Sequence, residues 1–400
     1  MPPTGVEKYA VANLVATTGT GITLSVGVLY FITIVELPTA TVATALTTGA
    51  LIGLAAMPAV GRVAGVFGAK PVYLGLLGLQ ALALTTWQMV TGPASAFAAL
   101  AVSLLAERGI NAVIGGFVAE LPISPTGRAR SRAYLRSVTN VGLALGGALG
   151  GAGLAWGSPV ALHAAVALAA GMPLGAALIV VRVPVRGART QGTARPAARV
   201  LRDRRYVVLA ATNGVMAIHL DVLSVGLPLW LTLHDHIPRW VAGAAVGLNA
   251  ALVALLQVST THRVQRGVTR VAARFAGAAL AGALLLLAVI GEATPIGWIL
   301  TLLLVWIVLL TVAELIQSAV EFIVSYDAAP SWAHPEYQAA YALGRGTIRA
   351  LAPVMFALVV PLGLVGWVAL AAASLAAALL HSRFVPEPVT EPGITEVAAS

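Results

Sequence analysis

The chain has 400 residues, of which 59% are hydrophobic and 10% are charged, and its formal net charge is +9. Soluble globular domains carry about 25% charged residues, so this composition excludes that class and favours an integral membrane protein. The sequence contains no cysteine, which excludes disulfides, thiolate chemistry and cysteine-ligated metals.

Apolar runs of about 20 residues recur along the whole chain, and each is long enough to cross a bilayer as a helix. The opening "MPPTGVEKYA" lacks a basic n-region, so the first apolar run is predicted to be a membrane span rather than a cleavable signal peptide. The first six predicted spans are about 9–35, 39–61, 70–92, 94–120, 134–156 and 159–182. The other six are about 206–233, 239–261, 271–290, 295–325, 341–361 and 364–382.

A polar stretch near the midpoint separates these two sets of spans. It is rich in Arg, Pro and Gly, and it covers residues 183–205. We therefore predict an all-α polytopic membrane protein with twelve transmembrane helices in two pseudo-symmetric six-helix bundles. The predicted bundles are residues 1–182 and 206–383, and a flexible tail follows at 384–400.

The basic residues indicate the orientation of the chain in the membrane. Of 24 Lys and Arg, we place 22 at span ends that share a side with the N-terminus, with Arg239 on the other side and Arg108 inside a span. By the positive-inside rule, both termini and the linker face the cytoplasm. Contact with anionic lipid headgroups then explains the basic charge, which argues against a nucleic-acid partner.

Two glycine-rich segments and one buried arginine resemble signatures of the major facilitator superfamily. "GRVAGVFGAKP", residues 61–71, resembles the loop between spans 2 and 3 of that family. Gly61, Gly68 and Lys70 match the family pattern, and Arg62 follows Gly61 directly. Gly65 stands where the family has an Asp that helps to latch the cytoplasmic side. "AERGINAVIGG", residues 106–116, resembles the span-4 signature whose buried arginine is tied to proton coupling, here Arg108.

"GLALGGALGG", residues 142–151, resembles the span-5 signature of the exporter branches. Gly142, Gly146, Gly150 and Gly151 fit that signature, and Gly147 replaces its proline. Such glycines allow another helix to approach closely. Together with residues 312–322, this pattern resembles the drug:proton antiporters with twelve spans and implies export.

Four ionisable residues inside the predicted spans are candidates for proton coupling: Asp221, Glu314, Arg108 and Glu107. An ionisable side chain at the bilayer centre costs roughly 2.5–3.5 kcal/mol on insertion scales, and such residues usually face the bundle interior. Burial favours the protonated form of a carboxyl group, so Asp221 and Glu314 can take up and release protons. The alternative is a permanent structural ion pair.

Further residues are predicted to line the substrate cavity or to take part in gating. Glu321 lies on the same helical stripe as Glu314, two turns nearer the cytoplasm, where a gate salt bridge is expected. The predicted cavity residues are Glu36, Tyr30, Asn111, Asn140, Gln317 and Trp230. The predicted gating residues are Gly61, Arg62, Gly65, Gly68, Lys70, Gly142, Gly146, Gly150, Gly151 and Glu321.

These features predict a secondary transporter of the bacterial inner membrane that works by alternating access around a midplane site. The chain carries no P-loop motif, so an ion gradient rather than ATP is expected to drive it. The expected cargo is an amphipathic drug or natural product, cations included, exported by a monomer in exchange for protons, with no cofactor and no metal. The expected partners are the substrate, protons and the lipid bilayer.

Two alternatives stay open at this stage. One is a proton symporter that imports a sugar, peptide or organic acid. The other, of a different class, is a receptor or scaffold built on a transporter fold, which would keep its activity when Asp221 and Glu314 are neutralised. An enzyme finds no support, because the sequence shows no nucleophile–base pair, metal-ligand spacing or cofactor motif.

Overall fold

The structure is a computed structural model that describes residues 4–121, 128–185, 202–265, 269–290, 295–329 and 334–385. Within these ranges the chain is helical apart from short connections, and no strand occurs. Helices α1 to α6 are Thr4–Thr33, Thr39–Phe67, Ala69–Trp87, Pro93–Glu120, Arg128–Trp156 and Pro159–Val181. Helix α7 is interrupted and consists of Arg204–Met216, His219–Asp221, the π-helical Val222–Gly226, and Leu227–Leu231. Helices α8 to α12 are Val241–Gln265, Thr269–Ile290, Ile296–Asp327, His334–Val359 and Gly363–Phe384.

The apolar helices agree with the predicted multi-pass architecture. Nine stretches of the described chain are long and apolar enough to cross a membrane. One of them, Ala340–Phe384, contains both α11 and α12, which separate at Gly363, where φ is 55°. With α3 and the shorter apolar stretch Val241–Gln257 of α8, the helices are consistent with the twelve predicted spans. The domain boundaries stay predictions, because 186–201 of the linker and 386–400 of the tail lie outside the described residues.

Local sequence signals set the helix ends. Pro93 and Pro159 each occupy the first turn of a helix, where a missing N–H leaves no bond unmade. The Ser158 hydroxyl accepts a hydrogen bond from the Ala161 amide at 3.2 Å, and the Asp203 carboxylate caps α7 by accepting from the Tyr206 amide at 3.1 Å. These signals fix where the helices begin.

Helix packing follows two six-helix halves, α1–α6 and α7–α12. In the first half, α1 packs against α5 and α6, and α2 packs against α4. In the second half, α9 packs against α10 and α12, and α7 packs against α11 and α12. The main contacts between the halves are α5 against α8 and α2 against α11.

The apolar cores show on which side the halves are joined. We call the side at which α1 begins and α12 ends the terminus side. On the opposite side one core runs through both halves and includes Phe31, Trp87, Trp230, Trp306 and Trp367. On the terminus side the halves have separate cores, built around Tyr9, Tyr73 and Phe117 in the first half and Tyr206, Tyr337 and Tyr341 in the second. The halves are therefore closed against each other mainly on the opposite side.

Candidate functional site

A central cavity of about 120 Å³ lies between the two halves. Helices α1 to α4 form its wall on the first half, and α7 and α11 form its wall on the second. Much of the lining is apolar and includes Phe31, Leu84, Trp87 and Leu100. Its ionisable lining residues are Glu107, Arg108, Asp221 and Arg349. The cavity therefore combines an apolar surface with two carboxylates and two guanidinium groups, as small-molecule sites commonly do.

Asp221 and Arg349 form an ion pair within the second half. The Arg349 Nε donates to the Asp221 Oδ1 at 3.4 Å, and Asp221 is buried. The second carboxylate oxygen, Oδ2, is also buried and has no partner in the described part of the chain. Helix α7 changes here from a short α-helical turn to the π-helical segment Val222–Gly226, a distortion that is frequent at functional sites.

Arg108 reaches the cavity from the first half and is not paired. It forms no hydrogen bond or salt bridge with any described residue, and its buried Nε has no partner. The side chain has room because α2 carries a glycine opposite it: a Cβ at Gly53 would stand 2.9 Å from the Arg108 Cγ. Ionisable residues within the spans were expected to face the bundle interior, and the structure places Arg108 at the central cavity.

A second cavity of about 70 Å³ lies beside the first and contains Glu314. The Asn249 Nδ2 donates to the Glu314 Oε2 at 2.9 Å and to the Thr311 Oγ1 at 3.0 Å. Asn140 of the first half also lines this cavity. Leu24 and Ser224 line both cavities, so they form the wall between them. Asp221 and Glu314 therefore face separate compartments, a division that sequence reasoning did not foresee.

Several residues predicted to line the substrate cavity line neither of these two cavities. Tyr30 is buried inside the first half, where its hydroxyl is hydrogen-bonded to the His163 Nδ1 at 3.0 Å, and its neighbour Phe31 lines the central cavity instead. Trp230 is buried against the ring of His234. Neighbouring residues on a helix point about 100° apart, and the sequence does not reveal which one turns inward.

The polar residues that were predicted to line the substrate cavity lie in different parts of the structure. Gln317 lies inside the second half, where its Nε2 donates to the Asn213 Oδ1 at 2.8 Å and to the Glu321 Oε2 at 3.2 Å. Glu36 is exposed just after α1, with φ at 58°. Asn111 is exposed on α4, and of these predicted cavity residues only Asn140 lines one of the two cavities.

The α5 glycines make two different interfaces. Gly142, Gly146 and Gly150 face α1, where an added Cβ would meet Thr17, Thr18 and Ser25. Gly147 and Gly151 face the other half, and a Cβ at Gly147 would stand 2.5 Å from the Gly247 backbone nitrogen. This contact of α5 with α8, which also includes Gly243, brings the backbones of the two halves together on the opposite side.

The predicted gating groups on the terminus side make contacts within their own halves. Lys70 Nζ donates to the carbonyls of Val181 and Val183 at 2.9 and 2.7 Å and so caps the end of α6. The Arg345 guanidinium contacts the Glu321 carboxylate at 2.6 Å, and both belong to the second half. The other predicted loop residues are not packed against neighbours. Arg62 is exposed, and a Cβ added at Gly61 or Gly65 would have nothing within 4 Å. Gly68 joins α2 to α3 with φ at 92°.

Arg349 is a functional candidate that sequence reasoning missed. The orientation argument counted it among the cytoplasmic charges, and the structure corrects this by placing it at the cavity against Asp221. A signal was present, because Arg349 lies eight residues inside the predicted span 341–361. No cluster of three or more His, Cys, Asp or Glu in the described ranges could hold a metal ion.

Two helical halves with cavities between them define the class of the protein: a multi-pass membrane protein with a transporter fold. The sequence model of the Major Facilitator Superfamily matches residues 9–353, and the chain belongs to that family. Membership confirms the expectation of a transporter rather than an enzyme. No curated protein matches the sequence.

Solved structures share this fold at low sequence identity. The nucleoside transporter NupG has a TM-score of 0.77 at 13% identity, covering 96% of this chain and 100% of that one. A bacterial homologue of the iron transporter ferroportin, in an inward-facing state, has a TM-score of 0.72 at 16% identity over 95% and 97% of the two chains. A POT family transporter in complex with 5-aminolevulinic acid has a TM-score of 0.72 at 11% identity over 96% of each chain.

Proposed function

We propose that the protein is a proton-coupled secondary transporter that exports an amphipathic small molecule across the bacterial cytoplasmic membrane. Two buried carboxylates in separate cavities between the halves, Asp221 and Glu314, are the observation that carries this proposal. The export direction rests on the sequence resemblance to the drug:proton antiporters. The proposed unit is a monomer whose termini lie in the cytoplasm.

Glu314 is the proposed proton carrier. Its hydrogen-bond partner Asn249 is neutral, and no arginine or lysine lines its cavity in the described part of the chain. No ion pair therefore holds Glu314 among the described residues. Asp221 differs, because it forms an ion pair with Arg349. We therefore assign proton uptake to the Glu314 cavity and substrate binding to the central cavity.

The packing of the halves supports alternating access. Their shared core lies on the opposite side, while their cores on the terminus side are separate. With the terminus side in the cytoplasm, this arrangement corresponds to an inward-facing transporter. The cavity of Glu314 lies next to the contact of α5 with α8, because it is also lined by Asn140 of α5 and Asn249 of α8. Protonation can thus be linked to the movement of one half against the other.

Replacing Glu314 with glutamine is expected to abolish substrate-driven proton movement while the protein still folds. Glutamine keeps the size of the side chain and an oxygen that accepts from Asn249. Proteoliposomes containing a pH-sensitive dye would report proton flux when lipophilic cations, zwitterions, sugars, peptides or nucleosides are added under a proton gradient. Asp235→Asn is the matched control, because Asp235 is exposed on a loop.

Four outcomes are informative. Proton release on addition of a compound, lost in Glu314→Gln and retained in Asp235→Asn, supports antiport. Proton movement that persists in Glu314→Gln contradicts the assignment of the carrier. Compound uptake in the same direction as the protons favours the symport alternative, and compound movement driven by a sodium gradient alone would contradict proton coupling.

A further inference from the structure

We propose that the central cavity binds a zwitterionic small molecule, whose anionic group contacts Arg108 and whose cationic, hydrogen-bond-donating group contacts Asp221. The inference rests on the proposed function and names its substrate class. It departs from the expectation of a lipophilic cation, and the observations that support it are independent of any family resemblance.

The first observation is a set of buried polar atoms without partners. Among the described residues, Gln80 Oε1, Arg108 Nε and Asp221 Oδ2 are buried and form no hydrogen bond, and all three side chains line the central cavity. Buried polar atoms in native proteins are nearly always paired, so an unpaired set around one cavity requires partners from water or from a ligand bound there. Here the ligand must offer an acceptor to the guanidinium and donors to the carboxylate and the amide oxygen.

The second observation is the charge balance of the cavity. Its four ionisable lining residues are two carboxylates, Glu107 and Asp221, and two guanidinium groups, Arg108 and Arg349. A monocation at Asp221 would give the cavity an excess positive charge beside Arg108 and Arg349. A monoanion at Arg108 would add negative charge beside Glu107 and Asp221. A zwitterion compensates both ends, and uncompensated charges in a low-dielectric site are strongly unfavourable.

The third observation is the position of the two groups in the fold. Arg108 belongs to the first half and Asp221 to the second. A zwitterion held by both would bridge the halves. Most of the apolar lining residues, Phe31, Leu84, Trp87 and Leu100 among them, belong to the first half, while Val225 and Pro353 belong to the second. The ligand is therefore expected to carry an apolar body on the side of its anionic group.

The proposal can be tested by ligand binding with matched probes. Phenylalanine, leucine and tryptophan are zwitterions, their amides are cations, and their N-acetyl derivatives are anions with the same apolar body. Thermal unfolding of the purified full-length protein would be recorded with each probe. We expect at least one zwitterion to raise the unfolding temperature and to bind at least about tenfold more tightly than its cation and its anion.

Variants connect this binding to the proposed contacts. Arg108→Gln removes a guanidinium that forms no hydrogen bond or salt bridge with a described residue, so the protein should fold about as well as the native chain but lose the zwitterion-induced shift. Arg239→Gln, which changes a half-exposed arginine in a loop, should keep the shift. A cation or anion that stabilises as strongly as its zwitterion, an unchanged shift in Arg108→Gln, or no stabilisation by any zwitterion would overturn the proposal.

The outcomes separate this inference from the proposed function. Probe binding requires no proton gradient, so binding of the wrong charge class with intact proton coupling rejects only the zwitterion. Zwitterion binding without any proton movement in proteoliposomes rejects only the proton-coupled mechanism.

Discussion

Replacing Asp221 with asparagine is expected to abolish transport and to destabilise the protein, whereas replacing Asp221 and Arg349 together is expected to restore stability without restoring transport. The two side chains form an ion pair at 3.4 Å, in which Asp221 is buried and Arg349 is partly exposed. Removing one partner of such a pair leaves an uncompensated buried charge, at a cost of about 3–5 kcal/mol, while replacing both partners is often neutral. Stability and transport should therefore separate in the double variant.

A double-mutant cycle measures this separation. The native protein, Asp221→Asn, Arg349→Gln and the double variant would be compared by thermal unfolding in detergent and by transport in proteoliposomes. A large coupling in stability with transport lost in all three variants supports a site that needs both charges. Native-like transport in the double variant would show that the pair is only structural and would contradict the assignment of Asp221 to the substrate site.

Replacing Gly243 with valine is expected to hold the halves apart on the opposite side and to abolish transport. A Cβ at Gly243 would meet the backbone of Gly151, in the contact that joins α8 to α5. Neither backbone can give way as a flexible side chain can, because both belong to long helices. The variant should favour the conformation whose cavity opens to the opposite side, and transport requires both conformations in turn.

Single-cysteine labelling can report which side of the cavity is open. The chain has no cysteine, so a reporter such as Ala50→Cys can be added directly. Ala50 is small, buried and lines the central cavity. With a membrane-impermeant thiol reagent, the native background should be labelled mainly from the terminus side, and the Gly243→Val background mainly from the opposite side.

A matched valine substitution controls for the effect of β-branching in a helix. Gly171 lies on α6, and a Cβ there would have nothing within 4 Å. Gly171→Val should keep both transport and the native labelling pattern. If Gly243→Val and Gly171→Val label alike, the contact of α5 with α8 does not control access to the cavity.

The polar residues of α10 show which contacts the sequence does not predict. Glu314, Gln317 and Glu321 share one helical face by their spacing, and they were predicted to serve proton coupling, the substrate cavity and a gate salt bridge in turn. In the structure Glu314 contacts Asn249 of α8, while Gln317 contacts Asn213 of α7 and Glu321 contacts Arg345 of α11. Residues on one face of α10 thus contact three different helices, because the helices that pack against α10 change along its length.

The sequence by itself determined the membrane class, the spans and the family. Hydropathy, helix length and glycine signatures are local properties, so they can be read without knowing what each helix touches. The tertiary structure decided which buried groups meet: Arg349 pairs with Asp221, Phe31 rather than Tyr30 lines the cavity, and Asp221 and Glu314 lie in different compartments. These outcomes depend on the rotation of each helix about its axis and on how the two halves pack. In a chain that is apolar on nearly every face, hydropathy does not specify that rotation.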